Sequence, residues 1–97
     1  MDQPIACSLT PDAYRDRRRD LSTLAGRALR DRVAIAGGER LTFAGDPATE
    51  RGLRAAVDAE RACCAFLDLE LRRAGDRLVL DVTGPAEARP LIAELFA

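Results

Sequence analysis

The sequence predicts an α+β domain: a mainly antiparallel sheet of four to five strands with three helices, in the order β-α-β-β-α-β-β-α. Three observations predict it. First, "RVAIAGGERLTFAG" and "LDLELRRAGDRLVLDV" each alternate apolar and polar residues on both sides of a glycine-bearing turn, so each reads as a hairpin. Second, three stretches place a proline at or near the start of a segment with apolar residues at helical spacing. Third, consecutive hairpins pair mainly antiparallel and leave helices to cover one face. With 97 residues, 47% hydrophobic and 32% charged, the chain suits one globular domain over 1–97 and not a disordered segment.

"IACSL" alternates, with Ile5, Cys7 and Leu9 on one face, and reads as a short first strand. Thr10 can cap a helix that Pro11 opens, and Tyr14, Leu21, Leu24, Ala25 and Ala28 form its stripe, ending near Leu29. Val33 and Ile35 then alternate on one arm of a hairpin, Leu41 and Phe43 on the other. Gly37-Gly38 is expected to supply the positive φ angles of its turn. In "DPATE", Asp46 can cap, Pro47 takes the first turn and Glu50 suits the positive end of the dipole. That helix should run to Cys63 or Cys64. Leu67, Leu69 and Leu71 pair with Leu78, Leu80 and Val82 in the second hairpin, around Ala74-Gly75-Asp76. "GPAEARPLIAELFA" closes the chain as a helix with Pro90 in its first turn or at a bend. "GERLTFAGDPATER" also lies over "GDRLVLDVTGPAEAR" with one inserted residue, which suggests a repeated helix–hairpin–helix unit or convergent turn chemistry.

All 15 basic residues are arginines, and the net charge is −1. That balance gives no general case for nucleic acid. The run Arg15 to Arg19 is diluted by Asp16 and Asp20 and reads as a solvated helix face. No stretch resembles a signal peptide or a membrane span, so the expected location is the cytoplasm, where thiols are normally reduced. Three cysteines also argue against a disulfide framework. The absence of histidine removes the commonest general base and metal ligand, and any chemistry falls to thiols, carboxylates, hydroxyls or arginine.

The chemistry-bearing stretch is "DAERACCAFLDLEL". With Leu53 set at zero on the second helix, Val57 falls at about 40°, Cys64 at about 20° and Glu60 at about −20°, while Cys63 lies on the flank at about −80°. Glu60 is therefore central in an apolar stripe, where a carboxylate needs a partner such as Arg61, Arg54 or backbone amides. Cys64 is expected to be buried and Cys63 more accessible. Cys7 is expected to face the core from the first strand. Two or three thiolates suit a soft ion: Zn(II), Hg(II), Cu(I) or As(III). A four-ligand zinc site would need Cys7, Cys63, Cys64 and Glu60 together. Arg61 beside the pair could instead lower a thiol pKa for redox or nucleophilic work. Equally, cysteine packs as a small hydrophobe, and "ACCAF" is an apolar run into a strand.

"ERACCAFLDLEL", followed by "LVLDVTGPAEA", resembles small, mostly uncharacterised bacterial proteins with an E-R-x-C-C-P-F-x-x-[FL]-x-L signature, some of them associated with regulators of the mercury-resistance type. The resemblance runs from Cys7 to Ala97 and is tightest over Glu60 to Leu71. Ala65 stands where the signature has proline. The resemblance implies a soft metal or metalloid as ligand and a transcription regulator as a candidate partner. Three functions follow: a binding module that senses, buffers or carries a soft ion; a non-catalytic interaction or homodimeric domain whose cysteines are packing; and a small thiol redox enzyme. The missing histidine and oxyanion loop count against the enzyme.

Overall fold

A computed structural model describes residues 11–63 and 66–97, with Pro11, Tyr14 and Cys63 described by their backbone alone. The elements follow in the order α1 (Pro11–Ala28), β1 (Leu29–Ile35), β2 (Gly38–Ala44), α2 (Pro47–Cys63), β3 (Asp68–Ala74), β4 (Arg77–Thr83) and α3 (Arg89–Glu94), with a 3₁₀ turn at Ala86–Ala88 before α3. Among the described residues this is an α+β fold with three helices and a four-stranded antiparallel sheet. From α1 onward the order is the expected one; the expected strand around Cys7 lies outside the described residues.

The sheet order is β1-β2-β4-β3, every neighbour antiparallel. Its two faces follow from the two-residue alternation of strands. Leu41, Phe43, Leu69, Leu78, Leu80 and Val82 point to one side and are buried there with Leu21 and Ala25 of α1, Leu53 and Val57 of α2, and Ile92 of α3. The opposite side carries no helix among the described residues. It presents Val33, Arg40, Thr42, Val79, Asp81, Glu70 and Arg72, with Val33 45% exposed.

Each element begins where its chemistry dictates. Asp46 caps α2: Oδ2 accepts the Thr49 amide at 3.1 Å and Oδ1 accepts the Thr49 hydroxyl at 2.6 Å. Both hydrogen bonds favour the ionised carboxylate and hold the Asp46 pKa below its usual value. Pro90 occupies the first turn of α3, the place where its missing N–H costs nothing. The expected Gly37-Gly38 turn is corrected in detail. Gly37 alone of the two has positive φ, at 79°, whereas Gly38 already opens β2. Gly38 is required for closeness rather than for φ: a Cβ there would lie 1.8 Å from the Val82 carbonyl oxygen.

The two hairpins repeat in space. Leu29 of β1 corresponds to Asp68 of β3, and Gly38 of β2 to Arg77 of β4, by one constant offset. Leu41 then corresponds to Leu80, and these two are direct partners in the β2–β4 ladder. The bonds that close the halves obey the same relation: Gly84 N–H donates to the Gly37 carbonyl at 3.1 Å, and Gly45 N–H to the Asp76 carbonyl at 3.0 Å. A local two-fold therefore passes through the Leu41–Leu80 pair. The sequence overlay of "GERL" on "GDRL" is two residues out of this structural register. It preserves which side chains face the core, because strand alternation has a period of two.

Candidate functional site

α2 carries the site, and its last turn is held from two sides. Glu60 is buried at 3% exposure, and Arg17 of α1, its side chain 23% exposed, donates from Nη1 to its Oε1 at 3.2 Å. The expectation that Glu60 sits in the apolar stripe with a polar partner is met. This partner is on another helix, and is neither Arg61 nor Arg54. Arg54 instead pairs with Glu50 one turn earlier, at 2.7 Å. Arg61 turns outward and donates from Nη2 to the Leu69 carbonyl at 2.5 Å, fastening α2 to the edge strand β3.

The arginine run of α1 contains two inter-helix ties that composition hides. Arg15 pairs with Asp12 and Arg19 with Asp16 along the exposed face, as a solvated helix face would. Arg17 and Arg18 lie inward of these and reach Glu60 of α2 and Glu94 of α3. Sequence reasoning missed Arg17. The signal was present: Arg17, Leu21, Leu24 and Ala28 share one helical face at spacings of three and four.

α1 and α2 run antiparallel. Arg17 lies against Glu60, while Leu24 lies near Gly52, where a methyl on Gly52 would be 3.6 Å from Leu24 Cδ1. The first turn of α1 is thereby at the same end of the helix pair as the last turn of α2. Cys63 is the final residue of α2. Cys7 and Cys64 lie outside the described residues. Among the described residues, no three Cys, Asp or Glu side chains are grouped to hold a metal ion.

Arg61 and the α1–α2 seam each border a depression. One, of about 720 Å³, lies against β3 and β4 and is lined by Arg61, Leu67, Asp68, Glu70, Asp81 and Thr83 among others. Another, of about 300 Å³, lies between α1 and α2 over Leu24, Gly52, Ala55 and Ala59. On the helix-free face, Asp81 accepts from Arg40 twice, Nε to Oδ1 at 2.8 Å and Nη2 to Oδ2 at 3.0 Å, and from Arg72 at 3.1 Å. Hydrogen bonding to Arg40 is the main reason its pKa lies below the ordinary aspartate value; burial opposes and Arg72 adds. No helix among the described residues is long and apolar enough to cross a membrane. Set against protein-family models, curated proteins and solved structures, the chain matches none.

Proposed function

We propose that the protein is a small cytoplasmic thiol module that binds a soft metal or metalloid ion through Cys63, Cys64 and Cys7, as a sensor, buffer or carrier. The antiparallel α1–α2 pair carries this reading. Cys7 precedes Pro11 by four residues, a tether of at most about 14 Å when extended. Packed helix axes lie about 8–10 Å apart, so a thiol entering at the start of α1 has the reach to meet thiols at the end of α2. A parallel pair would have put the 18 residues of α1, about 27 Å, between them.

The residues before the pair suit a prepared site. Glu60 and Arg61, consecutive in sequence, tie the last turn of α2 to α1 and to β3. Glu60 enters as the carboxylate beside the thiols; direct ligation by it would compete with Arg17. Binding a soft ion as thiolates releases protons, so affinity should rise with pH. Anaerobic titration with Hg(II), Cu(I), Zn(II) and As(III) tests the reading. Binding tighter than that of a small monothiol, weakened by Cys63→Ser, Cys64→Ser and Cys7→Ser alike, supports a three-thiol site. An unchanged Cys7→Ser reduces it to two thiols. No binding in the wild type ends it.

The second reading, an interaction or homodimeric domain, is favoured by the helix-free sheet face and its exposed Val33. Regulator docking belongs to the same reading. A thiol redox enzyme has no comparable support.

A further inference from the structure

The two edges of the sheet are unlike. β1 is interrupted by a register shift between Leu29 and Asp31, a common way to blunt an edge. β3 pairs with β4 in unbroken register over its whole length, and its other side faces no strand among the described residues. The Arg61 guanidinium reaches the Leu69 carbonyl from that side, so the backbone groups of Leu69, Leu71 and Arg73 face outward by the two-residue alternation. Leu71 is partly exposed there, beside a notch lined by Arg54, Val57, Asp58 and Arg61.

The charges on β3 are poorly arranged for an isolated protomer. Glu70 stands directly opposite Asp81, a like-charge cross-strand pair that is unfavourable in itself. Among the described residues the Glu70 carboxylate has no bonded partner. Arg72 is held by one bond to an Asp81 that Arg40 already grips with two. The order Glu70-Leu71-Arg72 places opposite charges symmetrically about Leu71.

We infer that the edge of β3 that meets no strand among the described residues is an interface for a second copy of this chain, paired antiparallel about Leu71. Glu70 of each copy then lies opposite Arg72 of the other, on the same sheet face, and Leu71 lies opposite its own counterpart. The axis is perpendicular to the sheet, so the contact is isologous and closed. The result is one continuous sheet of twice the width with all helices on one side. Arg61 need not leave, because a carbonyl oxygen has two lone pairs and the Leu69 oxygen can take both its guanidinium and an incoming amide. This interface does not rest on the thiol reading.

Light scattering and sedimentation equilibrium in excess reductant test it, since reductant removes disulfide-linked species. The wild-type mass is expected to rise with concentration from 10.5 kDa toward twice that value. Glu70→Arg sets arginine against arginine twice and should raise the dimer Kd about tenfold or more. The same change relieves the Glu70–Asp81 clash, so the protomer should remain folded, which thermal unfolding verifies. The double variant Glu70→Arg/Arg72→Glu restores opposite charges and should recover most of the affinity. A wild type that stays monomeric into the millimolar range overturns the inference. So does a Glu70→Arg variant that dimerises as the wild type does, which would locate the contact elsewhere.

Discussion

Arg32 shows how much one side chain can organise. It rises from β1 to the end of α3 and donates to the carbonyls of Leu95 at 2.9 Å, Ile92 at 3.0 Å and Ala93 at 2.9 Å, while Glu39 pairs with its Nε. The last carbonyls of a helix have no partner within the helix, and a cation there also meets the negative end of the dipole. Arg32→Ala should therefore cost about 2–3 kcal/mol in urea unfolding. Arg32→Lys should recover only part, because a point charge cannot span three acceptors. The carboxylates act differently. Asp46, Glu50 and Asp81 all have pKa values below their usual ones, through Thr49, through Arg73 with Arg54, and through Arg40 with Arg72. A depressed carboxylate contributes stability that is complete above its unfolded pKa, about 3.9 for Asp and 4.3 for Glu, and is lost as pH falls through the lower folded value. Asp81→Asn should consequently destabilise the protein at pH 7, with a gap to the wild type that narrows below about pH 4 in urea midpoints.

Among the elements, glycines separate the two kinds of information a sequence holds. Gly26 lies on the exposed side of the last turn of α1, and a methyl placed on it would meet nothing within 4 Å, so Gly26→Ala should stabilise by about 0.5 kcal/mol. Gly38 meets backbone that cannot give way, and Gly38→Ala should cost about 3 kcal/mol or more; chemical denaturation of the two variants checks both signs. From sequence, Gly38 and Gly37 look equivalent, because closeness to β4 is a tertiary fact. Local signals fared better. The Asp46-Pro47 helix start, the Gly75 turn and the alternation of Leu78, Leu80 and Val82 were legible because each depends on neighbours within a few residues. The burial of Glu60 was legible from the helical angle alone, but its partner was not. Arg17 lies 43 positions away, in a run that also holds the exposed pairs of Arg15 and Arg19.

At the scale of the molecule, the Arg17–Glu60 pair joins the two long helices. Removing Arg17 takes a cation from a buried carboxylate, so Arg17→Ala should cost about 3 kcal/mol. The double variant Arg17→Met/Glu60→Leu should be nearer the wild type than either single change, and a double-mutant cycle measures the coupling. The strand order was not legible, because hairpins specify only their own arms. That β2 rather than β1 meets β4 is decided by which arms bury both neighbours under helices. The β2–β4 ladder has a kinetic consequence. Each hairpin closes locally through a short turn, whereas Leu41 and Leu80 meet only after the chain between them has been looped out. Joining the halves should thus form the transition state for folding. In stopped-flow chevrons, Leu41→Ala and Leu80→Ala should mainly slow refolding, while Ile92→Val in α3, outside that ladder, should mainly speed unfolding.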